Sequence, residues 1–326
     1  MKLAFTVCSV SHLGQAKTMA DSFVKHNPGY QLKIGVVDRI AGRIDASQFA
    51  DYELIEIEEV GIPNLKKLIQ KYDVFEMCGL IRPYLAELLF NRHADLQKLI
   101  YIDTDILIFD SFDCVVSELD THNIILTPHA FQPFPEDGLY PKEVSFNNAG
   151  LYNSGFFAVK RSISGNDFLK WWQQRLSEYG SVNFMDGMFV DQLWLNFVPL
   201  FFDKVLIHKD LGLNVGYWNL HERHLKKVNG KLIVNEKYPL IFFHYSGYKL
   251  DTSDKISVHT DRFDLTTRPE LRPVFEAYHQ GLLKNNFETF RQLGNALITQ
   301  KSYMKWGILR EYALRISRKL IRELHG

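Results

Sequence analysis

The sequence has little cysteine, no excess of either charge and no long apolar run, and each absence excludes a class of protein. Its three cysteines, Cys8, Cys78 and Cys114, lack the spacing of metal ligands, which is typical of reduced thiols in a cytosolic protein. Lys plus Arg and Asp plus Glu both number 38, so the large basic surface on which nucleic-acid binding depends is missing. No stretch approaches the roughly 20 apolar residues that span a bilayer. We therefore expect a cytoplasmic protein that binds no nucleic acid.

The hydrophobic pattern predicts an α/β fold. An apolar strand over residues 3–9, a helix over 12–26 and a strand over 32–37 form a βαβ unit, which implies a parallel sheet. Further strands are predicted at residues 52–57, 99–102, 124–127, 156–159 and 240–243, and helices at 65–70, 74–90, 167–179, 185–197 and beyond 265. Asn229 and Gly230 predict a hairpin turn. Residues 131–148, with three prolines, predict a long functional loop.

A pair of aspartates marks the first candidate site. Asp103 and Asp105 follow the buried strand 99–102, at the edge of the sheet where open α/β proteins bind ligands. Charged groups in apolar surroundings must be paired or ion-bound, and their oxygens suit hard cations such as Mg²⁺ or Mn²⁺. This pattern predicts a metal site, and a pair of strand-end caps is the alternative.

A second cluster follows the last predicted strand. His244 leaves that strand and can supply a nitrogen ligand, Gly247 permits close approach of a phosphate to the backbone, and Lys249 offers it a cation. A histidine satisfied within the core is the alternative interpretation of His244. Asp38, which ends the second strand, either reads the base or ribose of a nucleotide or forms a turn.

Four short motifs, in this order along residues 1–250, resemble the family 8 nucleotide-sugar transferases. They are Asp103-x-Asp105, Asn153-Ser154-Gly155, Asp191-Gln192 and His244-x-x-Gly247-x-x-Lys249. The stretch from Cys8 and Ser9 to Lys17 resembles a bacterial branch of related transferases. Taken without the resemblance, Asn153-Ser154-Gly155 could form only a turn, Asp191 and Gln192 could be solvated positions of a helix, and Arg82 could be a surface cation.

The resemblance implies a GT-A fold, a Rossmann-like mixed sheet flanked by helices, with a C-terminal helical extension. It implies that Asp103, Asp105 and His244 hold Mn²⁺ or Mg²⁺ on a nucleoside diphosphate, and that Asp191 and Gln192 face the donor sugar as catalytic residues. Further donor-binding candidates are Cys8, Ser9, Asp38, Arg82, Thr104, Asn153, Ser154, Gly247 and Lys249.

The implied function is metal-dependent transfer of a hexose from a nucleotide sugar, with UDP as the nucleotide, to a glycan or lipid-linked acceptor of the cell envelope. The resemblance implies retention of anomeric configuration, which the residues alone leave open. Two other classes compete. One is a non-catalytic nucleotide-sugar-binding module, and the other is a phosphohydrolase with Asp103 as nucleophile.

The expected domains are a catalytic domain over residues 1–264 and a helical extension over 265–326. Within the first, residues 1–110 form the nucleotide-sugar half and 111–264 the acceptor half. The tail 301–326 holds seven Lys or Arg against two acidic residues and has the spacing of a basic amphipathic helix. Either it binds the inner face of the membrane peripherally, or it packs on the catalytic domain or on a second subunit of a homo-oligomer.

Overall fold

The computed structural model describes residues 1–252 and 254–298 of the chain. Its strands are β1 (Leu3–Cys8), β2 (Gln31–Val36), β3 (Glu53–Glu56), β4 (Lys98–Ile102), β5 (Ile106–Ile108), β6 (Ile124–Pro128), β7 (Tyr152–Lys160), β8 (Val182–Asn183), β9 (Met188–Phe189), β10 (Val205–Ile207), β11 (Val215–Gly216), β12 (Leu225–Val228), β13 (Lys231–Val234), β14 (Tyr238–Pro239) and β15 (Phe242–His244).

The helices alternate with these strands in the first half of the chain and end the described part of it. They are α1 (Leu13–His26), α2 (Leu65–Lys71), α3 (Val74–Arg92), α4 (Asp113–Glu118), α5 (Glu143–Ala149), α6 (Ile163–Tyr179), α7 (Val198–Phe201), α8 (Arg272–Lys284) and α9 (Phe287–Arg291). Short 3₁₀ turns cover Val10–His12, Ala46–Phe49, Ile57–Glu59, Phe184–Asp186, Leu193–Phe197 and Pro269–Leu271.

A seven-stranded mixed sheet forms the centre of the fold, in the order β10-β6-β7-β4-β1-β2-β3. Strands β4, β1, β2 and β3 are parallel to their neighbours, whereas β7 runs antiparallel to both β4 and β6. The carboxyl ends of β1, β2 and β4 therefore meet at one edge of the sheet. This arrangement confirms the predicted α/β fold and places the chain after β4 where ligands bind in such sheets.

Both faces of the sheet are buried, which explains the continuous apolar runs of its strands. Side chains alternate along β1, so that Leu3, Phe5 and Val7 join one core while Ala4 and Cys8 join the other. The first core is closed by side chains of α3 and α6, and the second by side chains of α1 and α4. The central strands are consequently fixed from two sides.

A smaller sheet, in the order β11-β15-β5, brings the distant second motif to the first. β5 begins just after Asp105 and pairs antiparallel with β15, with Ile106 opposite His244. The backbone N–H of Tyr245 also donates to the carbonyl of Asp105 at 2.7 Å. Pairing of these two strands thus places His244 beside Asp105, although the two residues are far apart in sequence.

Two predictions for the middle of the chain are wrong. Residues 185–197 do not form one helix: β8 and β9 pair there, and 3₁₀ turns flank them. Gly187 and Val190 have φ angles of 68° and 39°, and such left-handed residues cannot continue a right-handed helix. The expected loop at 131–148 contains most of α5. The hairpin at Asn229 and Gly230 is confirmed, and the positive φ of both residues fits its two-residue turn.

The C-terminal helical prediction is confirmed by α8 and α9, whereas residues 292–298 form an irregular segment. This segment lies against the end of β2, because the Asn295 side chain donates to the carbonyl of Val37 at 2.6 Å. The tail 301–326, for which a membrane helix is predicted, lies outside the described residues. Within the described ranges, no helix is long and apolar enough to cross a bilayer.

Candidate active site

Three potential metal ligands converge at the carboxyl edge of the sheet. Asp103 and Asp105 lie between β4 and β5, His244 ends β15, and one ligand atom from each lies within 4.8 Å of the others. His244 Nε2 is 3.0 Å from Asp105 Oδ1. The imidazole is 5% exposed, whereas the carboxylates of Asp103 and Asp105 are 22% and 26% exposed, so the cluster opens to solvent on its acidic side. Two oxygens and one nitrogen in this arrangement fit a divalent cation such as Mn²⁺ or Mg²⁺.

The charges of the cluster shift the pKa values of its members in opposite directions. Burial raises the pKa of Asp103, and the nearby Arg82 only partly opposes this effect. Burial would also raise the pKa of Asp105, but the attraction and hydrogen bond of His244 together hold it below its usual value. The pKa of His244 is raised, since Asp105 and Asp103 outweigh the opposing effect of burial. The protein thus keeps negative charge at Asp105, where a cation is needed.

Gly155 makes room for the cluster. The motif Asn153-Ser154-Gly155 lies within strand β7 and is not a turn. A Cβ atom at Gly155 would lie 2.5 Å from His244 Cε1 and 2.8 Å from Asp103 Oδ2, closer than any normal contact. The absence of a side chain at this position therefore lets the two ligands approach each other.

Arg82, on α3, joins the metal cluster to the Asp191-Gln192 motif. Its Nη2 donates to Asp103 at 2.8 Å and its Nη1 to Asp191 at 2.7 Å. Nη1 also lies 3.0 Å from both the carbonyl and the hydroxyl oxygen of Ser154. Arg82 is only 7% exposed, and its guanidinium stacks 4.6 Å above the ring of Tyr101, whose hydroxyl donates to Asp103. The surface-cation interpretation of Arg82 is wrong.

Asp191 and Gln192 are held by the protein and are not solvated positions of a helix. Asp191 is 2% exposed, and its carboxylate binds Arg82. The Gln192 side chain accepts from the backbone N–H of Ser154 at 3.2 Å and donates to the carbonyl of Ala149 at 3.0 Å. Both side chains are therefore oriented before any ligand binds.

An open cleft of about 760 Å³ lies beside the cluster. Its lining includes the predicted residues Cys8, Ser9, Asp38, Arg82, Asp103, Thr104, Asp105, Gly247 and Lys249. It also includes His12, Gln15, Tyr248, Arg291, Gln292, Asn295 and Ile298, which no motif indicated. The remaining predicted residues, Asn153, Ser154, Asp191, Gln192 and His244, are bonded to or pack behind this lining.

With the geometry in place, comparison with known proteins addresses the fold. No family model matches the chain. It is 25% identical over 281 residues to YfnF of Bacillus subtilis (strain 168), described as uncharacterized, which covers 85% of this chain and 90% of YfnF. The glycosyltransferase GlyE of Streptococcus pneumoniae TIGR4 aligns with 92% of this chain and 67% of its own at 15% identity, with a TM-score of 0.48.

The apo structure of the bifunctional glycosyltransferase WbbM aligns at a TM-score of 0.50 and 11% identity. The alignment covers 90% of this chain and 52% of WbbM, so this chain spans about half of that protein. The fold is GT-A. At this identity the likeness concerns the fold alone.

Asp38 occupies a different position in the GT-A frame from the one expected of a free nucleotide ligand. It lines the cleft, but its carboxylate accepts from Arg43 Nη1 at 2.6 Å and from the backbone N–H groups of Arg39 and Ala296 at 2.8 and 2.9 Å. The side chain is fully buried. Asp38 thus anchors the irregular C-terminal segment onto the end of β2.

His129 is a buried member of the site that no sequence motif indicated. Asn153 donates to its Nε2 at 3.1 Å, so its Nδ1–H donates to the carbonyl of Leu151 at 3.0 Å. Burial lowers the pKa of His129 to about 3. The neutral ring therefore fixes the orientation of Asn153, whose carbonyl oxygen accepts from the N–H of Gly155. Its only signal in the sequence is its place directly after β6.

Proposed function

We propose that this protein is a metal-dependent glycosyltransferase that moves a hexose from a UDP-sugar to a glycan or lipid-linked acceptor of the cell envelope. The observation that carries the proposal is the convergence of Asp103, Asp105 and His244 within 4.8 Å, beside a cleft of nucleotide size. The GT-A fold agrees with it.

These three residues would hold Mn²⁺ or Mg²⁺. When bound, such a cation neutralises the charge that develops on a leaving diphosphate. Gly247 and Lys249 line the same cleft and would contact the diphosphate. Gly247 has a φ of 75°, and a Cβ there would lie 2.5 Å from Ser257 Oγ, so only glycine fits this close loop.

The donor sugar would lie beside Asp191 and Gln192, whose carboxylate and amide oxygens suit the positive charge that develops on the ring. An inverting enzyme would need a free carboxylate base beside the acceptor hydroxyl. Asp191 is engaged by Arg82, and Asp186 accepts from the Asn183 side chain at 2.6 Å. Their engagement supports transfer with retention.

The test is a screen of nucleotide sugars for metal-dependent hydrolysis, which requires no acceptor. We expect release of UDP from a UDP-hexose with Mn²⁺, and none after addition of EDTA or in the Asp105→Ala variant. Donor binding without turnover would favour a non-catalytic binding module. A phosphoenzyme trapped on Asp103 would identify a phosphohydrolase instead. Preference for a GDP- or CMP-sugar would contradict the assignment of the donor.

Peripheral membrane contact through residues 301–326 is part of this proposal. Seven Lys or Arg against two acids would attract an anionic leaflet, at about 1 kcal/mol per cation near the surface. We expect the full chain to co-sediment with anionic liposomes and a chain ending at residue 300 to remain in solution. Equal behaviour of both chains would defeat the membrane proposal, and sedimentation velocity would then test a homo-oligomer.

A further inference from the structure

Most charges that line the cleft are neutralised by partners within the protein. Asp38 is paired with Arg43 at 2.6 Å. Arg82 lies between Asp103 and Asp191 and binds both carboxylates. None of these groups is free to balance the charge of an incoming anion unless a bond within the protein is broken.

Two cations of the lining remain. Within the described ranges Lys249 forms no ion pair, while Arg291 is paired only with Glu288 of its own helix, at 3.3 Å. The side chains of Arg291 and Glu288 are 47% and 54% exposed, and such exposed pairs contribute little stability. Arg291 can therefore exchange this partner for a stronger anion at small cost.

Arg291 and Lys249 lie close to the same part of the cleft wall. Arg291 ends α9, which packs against the turn Val10–His12 that follows β1. Burial lowers the pKa of His12, and the positive charges of both Lys249 and Arg291 lower it further. The two cations thus face the same histidine, from two segments that are far apart in the sequence.

The segment after Arg291 is fixed onto the nucleotide side of the sheet. The Asn295 side chain donates to the carbonyl of Val37, the N–H of Ala296 donates to Asp38, and Arg43 donates to the carbonyl of Gly294. These bonds hold the end of α9 over the carboxyl ends of β1 and β2. The backbone of Arg291 is therefore positioned, while its guanidinium stays mobile enough to follow a ligand.

We propose that Arg291 is a second phosphate-binding cation of the donor site, which binds the diphosphate together with Lys249. This inference rests on the proposed nucleoside diphosphate donor and adds a ligand from outside the four motifs. Guanidinium groups bind phosphate oxygens in a bidentate manner. The C-terminal extension would then contribute directly to substrate binding.

The experiment compares UDP affinity by calorimetry in the presence of Mn²⁺ for Arg291→Ala, Arg291→Lys and wild type. We expect Arg291→Ala to weaken UDP binding about tenfold, the effect of one charge-assisted contact, and Arg291→Lys to weaken it less. Because Arg291 is exposed, the loss should shrink when NaCl is raised from 50 to 300 mM. Arg272→Ala is the matched control, since Arg272 is half-exposed and paired with Asp254 outside the cleft.

Glu288→Ala separates binding from structure. If Arg291 served only to hold α9 through its pair with Glu288, both alanine variants would weaken UDP binding equally, and the inference would be overturned. We expect Glu288→Ala to bind UDP as well as wild type or better. Unchanged affinity in Arg291→Ala, with loss in Lys249→Ala, would overturn this inference and leave the proposed function standing. If wild type binds none of UDP, GDP, CDP and ADP with Mn²⁺, both fall.

Discussion

Replacing Arg82 with methionine keeps an unbranched side chain on α3 but removes a guanidinium that two carboxylates share. In the native protein this group lies 2.8 Å from Asp103 and 2.7 Å from Asp191, and it also binds Ser154. Removing one partner of a buried ion pair costs about 3–5 kcal/mol, because the other charge is left uncompensated.

The structure places this variant near the lower end of that range. The Asp191 side chain is 3% exposed and keeps nearly the full penalty, but that of Asp103 is 22% exposed and can be hydrated in part. The Nε atom of Arg82 is buried without a hydrogen-bond partner among the described residues, so its removal costs nothing. We expect Arg82→Met to lower the free energy of unfolding by about 3 kcal/mol.

Urea unfolding followed by circular dichroism measures this change. Arg92→Met is the matched control, because Arg92 ends the same helix, is 33% exposed and pairs with Glu53 at 3.3 Å. We expect a loss below about 1 kcal/mol there. The double variant Arg82→Met with Asp191→Asn should recover part of the loss, since it removes one of the stranded charges. If Arg82→Met costs no more than Arg92→Met, the ion-pair network does not hold the site as described.

Three further predictions concern the metal cluster and its surroundings. Gly155→Ala should lower Mn²⁺ affinity at least about tenfold in calorimetry, because its Cβ would push His244 and Asp103 apart. Asp105→Ala should abolish turnover in the nucleotide-sugar assay, with a circular dichroism spectrum like that of wild type. His129→Gln should reduce the loss of stability on acidification: the unfolded histidine binds a proton near pH 6.5 and the folded one near pH 3, so stability is full above pH 6.5 and declines below it, by about 2 kcal/mol at pH 5.

Each of these predictions has a control within the chain. Gly294→Ala meets open space and should leave Mn²⁺ affinity unchanged, and equal loss in both glycine variants would contradict the crowding argument. Asp51→Ala, at an exposed carboxylate, should retain turnover. His224→Gln, at an exposed histidine, should keep the pH dependence of wild type. The role of His129 is refuted if His129→Gln also shows the wild-type slope between pH 7 and pH 5.

The metal cluster could be predicted from sequence because its members follow buried strands. Apolar runs identify such strands, and polar residues directly after them lie at the ligand-binding edge. The resemblance then joined His244 to Asp103 and Asp105. Strand pairing between β5 and β15, which brings them together, leaves no local signal in the sequence.

The charge network behind the cluster could not be predicted, since it depends on which side chains of distant elements face one another. α3 is buried on most sides, so its periodicity did not indicate that Arg82 points inward. The apolar spacing of residues 185–197 imitates a helix, and only the left-handed backbone at Gly187 and Val190 rules one out. Val190 in particular is a residue for which positive φ is unexpected, and the tertiary bonds of Asp191 on its carboxyl side offer a reason for it.

Asp38 shows how a correctly located residue can have a different partner from the expected one. Its place at the end of β2 fits a nucleotide ligand, and the cleft does lie there. Its oxygens, however, are used by Arg43 and by the backbone of Ala296, and an aspartate with filled acceptors has little left to offer a ribose. The segment that it anchors lines the cleft in its stead. The nucleotide side of this GT-A fold is therefore completed by residues about 250 positions further along the chain, and the C-terminal extension belongs to the site as much as to the scaffold.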